Sequence, residues 1–120
     1  GHTIGHALES QALGKSKDLL HGEAVAMGMV VETILSHMMN GLSMEDCQII
    51  QTSFKGIFPL QVIDESELPD LIEWMRHDKK NDDSQINFTL LKGIGEAEFN
   101  KICSISQIET AIKTYNTWLS

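Results

Sequence analysis

Cysteine is almost missing from this sequence, and so is any concentration of positive charge. The 120 residues hold two cysteines, Cys47 and Cys103. They form neither a CxxC pair nor a spaced framework, which excludes a disulfide scaffold or zinc knuckle and reads as buried or free thiols in a reducing compartment. Nine lysines and arginines stand against 17 acids, a formal charge of −8, and no basic run exceeds two residues. The footprint for a phosphate backbone is absent, so no nucleic-acid partner is expected. The longest apolar run, Ala24 to Val31, is far too short to cross a bilayer, and the N-terminus has none of the basic and apolar regions of a secretory signal. A cytoplasmic protein with no membrane partner is expected. There is no internal repeat, low-complexity tract or dividing linker. The chain opens directly on a motif, with no methionine and no residues ahead of it to cap a first helix, so it reads as a fragment.

What is present is the balance of one globular domain, 42% hydrophobic and 22% charged. From His2 to Leu13 the apolar residues Ile4, Ala7, Leu8 and Ala12 keep helical spacing, closing at Gly14, Lys15 and Ser16. His21 to Met39 is the strongest helical stretch, with apolar residues over much of its circumference, which predicts a central helix buried on more than one side. Asn40-Gly41 stops it. Ser43 with Asp46 starts another helix to about Phe54, broken by Gly56 and Pro59. Ser66 is expected to cap a further helix carrying Leu68, Leu71, Ile72 and Met75 down to Lys80. Ile86, Phe88 and Leu90 alternate with polar residues, and after Gly93-Ile94-Gly95 the stretch Glu98 to Cys103 returns as a partner strand. Ser106 with Glu109 reads as the capping box of a last helix bearing Ile108, Ala111, Ile112, Tyr115 and Leu119. The expected fold is mainly α, a bundle-like helical domain with one small β-hairpin near residues 86–103.

The chemistry gathers at the start, in Gly-His-Thr-Ile-Gly-His at 1–6 and His-Gly-Glu at 21–23. On a helix, His2 and His6 lie on one face a turn apart, and a short connection brings His21 back beside them. Neutral imidazoles so placed suit zinc, cobalt or iron, and a third begins to resemble an open catalytic site. The plain alternative is that they cap, pack or face solvent. Gly1, Gly5 and Gly22 sit beside these histidines, where each weakens a helix by about 1 kcal/mol relative to alanine, so they are read as clearance for a substrate or another backbone. Glu23 is read either as a carboxylate that orients a metal-bound imidazole or acts as a base, or as a first-turn acid favoured by the helix dipole. Asp78-Lys79-Lys80 is a solvated helix end taken alone, and beside a metal cluster a clamp for phosphate or carboxylate. His37 is expected to be structural, His77 a surface residue, and the six methionines core filler.

Four blocks taken together, Gly-His-Thr-Ile-Gly-His-Ala-Leu-Glu at 1–9, Leu-His-Gly-Glu-Ala-Val-Ala-Met-Gly-Met at 20–29, Asp-Lys-Lys at 78–80 and Leu-Leu-Lys-Gly-Ile-Gly at 90–95, resemble the C-terminal domain of the 3-dehydroquinate synthase family, in the sugar-phosphate cyclase superfamily. The resemblance spans residues 1–120 and implies that a nicotinamide-binding N-terminal domain lies upstream. It implies that His2 and His21 are two of three protein ligands to a catalytic zinc or cobalt, the third being an upstream glutamate. His6 is then the active-site histidine beside the metal, contacting substrate and available for proton transfer, and one of Lys79 and Lys80 approaches the substrate's anionic groups. The implied activity is that of a carbon–oxygen lyase of the shikimate pathway, which leads to aromatic amino acids. It converts DAHP into 3-dehydroquinate and phosphate with NAD that is reduced and reoxidised in each turnover, in an enzyme that is a homodimer. A piece holding this domain alone is expected to be inactive and to bind zinc weakly.

Three other readings predict different behaviour. A metal- and NAD-dependent polyol or alcohol dehydrogenase would release NADH and no phosphate. A 2-deoxy-scyllo-inosose synthase-like cyclase would take glucose 6-phosphate. A non-enzymatic helical interaction module would carry the histidines incidentally.

Overall fold

A computed structural model describes residues 2–14, 19–78 and 85–120, apart from the side chains of residues 2, 77, 78, 85, 99 and 100. Helix α1 (His2–Gly14) is followed by α2 (His21–Met39), α3 (Met44–Ile57), a short 3-10 turn (Glu65–Glu67) and α4 (Leu68–Asp78). Strands β1 (Gln85–Gly93) and β2 (Glu96–Ser104) pair antiparallel, and α5 (Ile105–Leu119) ends the chain. The mainly α domain with one hairpin is therefore what forms.

The long apolar stretch becomes the wall on which the others pack, with α2 meeting α1, α3, α5 and β1. Val30, Val31 and Leu35 of α2 are fully buried with Ile4 of α1, Ile86 of β1, and Ile108, Ile112 and Tyr115 of α5. The methionines divide, contrary to the expectation of core filler. Met27 and Met75 are buried, while Met29, Met38, Met39 and Met44 stay substantially exposed.

The helix ends are set by local chemistry. Asn40 closes α2, and Gly41 at φ +82° lets the chain turn so that the Leu42 N–H returns to the Ser36 carbonyl at 3.3 Å. Ser43 caps α3 by accepting from the Asp46 N–H at 3.0 Å. That helix runs through Gly56 to Ile57, beyond the expected end near Phe54, because an interior glycine only weakens a helix whereas Pro59 disfavours the helical conformation at Phe58, which is extended. Asp64, not Ser66, is the cap that leads into α4: its Oδ1 accepts from the Ser66 N–H at 3.0 Å and hydroxyl at 2.7 Å. Gly95, at φ +85°, supplies the left-handed position of a two-residue loop, so β2 begins at Glu96 rather than Glu98. Ser104 and Gln107 form the capping box of α5, their side chains bonding each other's backbone N–H at 3.2 and 2.8 Å. The Ser106–Glu109 pair has the same spacing, but the apolar stripe already starts at Ile105, which packs against the core.

Polar ties between elements add to the packing. Asn116 of α5 holds the irregular segment before α4 by bonding both the N–H and the carbonyl of Ile63, at 2.8 and 2.7 Å. On β1, the Leu91 N–H donates to Ser36 Oγ at 2.8 Å and its carbonyl accepts from Asn40 Nδ2 at 3.1 Å, so α2 covers backbone groups of the strand.

Candidate metal centre

Gly5 sets how closely α1 approaches the start of α2. A Cβ on Gly5 would lie 3.2 Å from the Ala24 carbonyl oxygen and 3.2 Å from Val25 Cα, so the helices cross closely enough that any larger residue would push their backbones apart by a few tenths of an ångström. This is the backbone approach that the glycine pattern predicted. Gly22 shows no such need, since its nearest neighbour would be the Phe58 ring at 3.9 Å, and Gly1 lies outside the described residues.

The crossing brings His21, the first residue of α2, onto α1. Its Nδ1 lies 3.0 and 3.1 Å from the two carboxylate oxygens of Glu9. An ionised carboxylate only accepts, so Nδ1 is the donor in this contact, and in the neutral form of the ring the lone pair then sits on Nε2. Among the described residues no side chain occupies Nε2, and the His21 side chain is 65% exposed. A neutral imidazole with one nitrogen on a carboxylate and the other open has the donor arrangement of a metal-ligating histidine, so the chemistry of His21 fits a divalent ion. Among the described residues no group of three His, Cys, Asp or Glu side chains converges on one point.

The other site residues are distributed as follows. His2 begins α1, with its side chain outside the described residues; His6 is half-buried one turn on. Lys79 and Lys80 lie outside the described residues. Glu23 lies in the first turn of α2 and accepts from the Leu20 N–H at 3.2 Å. The orienting contact to His21 comes from Glu9 instead. Glu9 is absent from the candidate residues of the sequence although it carries a signal, for it follows His2 and His6 at i+7 and i+3, on the same stripe. Glu23, two residues past His21, points about 200° around its helix. His37 is structural, as expected: its Nδ1 donates to the Leu42 carbonyl at 2.8 Å. His77's side chain lies outside the described residues.

Two concavities lie elsewhere. One of about 110 Å³ sits between Leu8, Gln11, Met27 and Ile63. Another of about 180 Å³ sits between Met29, Glu32, Thr89 and Leu91. Neither is lined by His6, Glu9 or His21.

Residues 1–81 match the family model described as 3-dehydroquinate synthase C-terminal. The chain belongs to that family. Curated relatives named 3-dehydroquinate synthase agree, one from Parabacteroides distasonis being 41% identical over 96% of this chain and 33% of its own length. Another, from Acinetobacter baumannii, is 40% identical over 93% of this chain and 31% of its own length. The chain thus spans about a third of the length of the curated family members it matches. Among solved structures, a 2-deoxy-scyllo-inosose synthase complexed with carbaglucose-6-phosphate, NAD+ and Co2+ shares the fold. Its TM-score is 0.73 at 23% identity, over 94% of this chain and 33% of that one.

Proposed function

We propose that this chain is the helical, metal-supplying domain of a 3-dehydroquinate synthase that converts DAHP into 3-dehydroquinate and phosphate within the shikimate pathway. The observation that carries the reading is His21, held at Nδ1 by a carboxylate with Nε2 open, inside the block that the family shares. His2 and His21 are the protein ligands this chain contributes, and a carboxylate from a preceding nicotinamide-binding domain completes the set. When bound, the metal, zinc or cobalt, supplies Lewis acidity toward a substrate hydroxyl, and NAD is the hydride acceptor.

The chain's own residues have distinct tasks. His21, fixed in one tautomer, presents its lone pair without reorganising. His6 contacts substrate and moves a proton through its imidazole during phosphate elimination. Lys79 or Lys80 holds an anionic group of the substrate, a positional and electrostatic role in a protein of net charge −8. The presence of Co2+ and NAD+ in the structural neighbour is consistent with this cofactor pair. The reading includes a homodimeric, cytoplasmic enzyme acting on a small molecule.

The decisive assay follows phosphate release from DAHP by the full-length protein. Stoichiometric phosphate with no net accumulation of NADH is expected. Net NADH without phosphate would identify a polyol or alcohol dehydrogenase, and phosphate release from glucose 6-phosphate alone would identify the 2-deoxy-scyllo-inosose reaction. Relatives 40% and 41% identical, all named 3-dehydroquinate synthase, favour DAHP. Residues 1–120 alone, with two of three ligands and no nicotinamide site, are expected to release no phosphate and to bind zinc weakly.

A further inference from the structure

The geometry points to Glu9 as the positioning residue for His21, fixing the ring and its tautomer so that Nε2 is ready for an ion. This inference rests on the reading of His21 as a metal ligand. His21 begins a helix and is 65% exposed on its side chain, so packing does little to restrain the ring. Both oxygens of Glu9 lie within 3.1 Å of Nδ1, and Glu9's own side chain is only 30% exposed. Without that carboxylate the ring samples several rotamers and both tautomers, and each costs affinity when an ion must select one. Glu9 is itself held by α1, whose distance from α2 is set by the backbone contact at Gly5. Aim therefore passes from the helix crossing through Glu9 to the imidazole. The same stripe of α1 carries His2, His6 and Glu9, so one helix supplies a ligand, a proton-transfer group and the positioner of the ligand on its neighbour.

An exposed ion pair with no such role would contribute only to folding, and the two cases separate experimentally. In the full-length protein, the dissociation constant for Co2+ is read from the visible absorption of the bound ion and from competition with a chelator. Melting of the chelated protein is followed in parallel. Glu9→Ala is expected to weaken Co2+ binding about 10- to 100-fold, with the melt of the chelated protein nearly unchanged and the absorption spectrum altered. Glu9→Gln keeps an acceptor for the Nδ1 proton and is expected to recover affinity to within about threefold of the parent. His21→Ala serves as the reference for loss of a ligand. If Glu9→Ala binds Co2+ like the parent while His21→Ala does not, the positioning role is wrong and the metal reading stands. If Glu9→Gln binds no better than Glu9→Ala, orientation through this bond is likewise refuted. If His21→Ala also binds like the parent, the metal reading itself falls.

Discussion

Cys103 is fully buried where β2 pairs with β1, and burial first, then the nearby charge of Glu32, pushes its thiol from 9.0 to about 11. Burial also raises the thiol of Cys47 and the phenol of Tyr115, whose hydroxyl donates to the Gln61 carbonyl at 2.6 Å. All three groups are neutral in the folded protein well into the alkaline range. The unfolded chain ionises its thiols near pH 9, so folding holds these protons more tightly than unfolding does. The contribution of Cys103 to stability is therefore complete below pH 9 and falls away as pH rises toward 11. Urea midpoints measured across that interval should decline, and Cys103→Ala should make the decline shallower. An equally steep loss in the variant would show that other groups govern it. The inert thiols were legible from their isolation in the sequence. The orienting partner of His21 was less so: adjacency in the chain favoured Glu23, whereas helical geometry turns Glu23 away and brings in Glu9 from another helix.

Among the elements, the α1–α2 crossing is the most demanding. Its neighbours at Gly5 are backbone atoms of a helix buried on several sides, so they have little room to yield. Gly5→Val is expected to cost about 1–3 kcal/mol through overpacking, offset only in part by a better helix former. In parallel it should weaken metal binding by displacing Glu9 from His21. A variant with parental stability and affinity would mean that the helices separate freely. The apolar periodicities located the five α-helices and the hairpin of the described residues, because each buries a face. The boundaries were harder, because several short signals compete and packing chooses between them. Ser104 and Ser106 each begin a valid capping box, and the burial of Ile105 selects the first. Asp64 outcompetes Ser66 by reaching its backbone and its hydroxyl together. Lys79 and Lys80, read from their motif, lie outside the described residues.

At the scale of the whole molecule, α2 serves both the core and the proposed site. Its first residue is the exposed imidazole, its middle the common wall of the domain, and its last turns the support of the hairpin. Fold and metal affinity should consequently move together in variants of this helix. The proposed ion, shared between α1 and α2, should in turn raise the melting temperature of the full-length protein with increasing metal concentration, by mass action. Metal that left the melt unchanged would argue against a site at this crossing. The grip of Ser36 and Asn40 on Leu91 has a further consequence. A two-stranded ribbon offers its outer backbone as a template on which a stranger's strand can grow. By answering both polar groups of Leu91, α2 withholds part of that template. Paired Ser36→Ala and Asn40→Ala changes should thus reveal themselves less as lost stability than as a slow, concentration-dependent rise in scattered light.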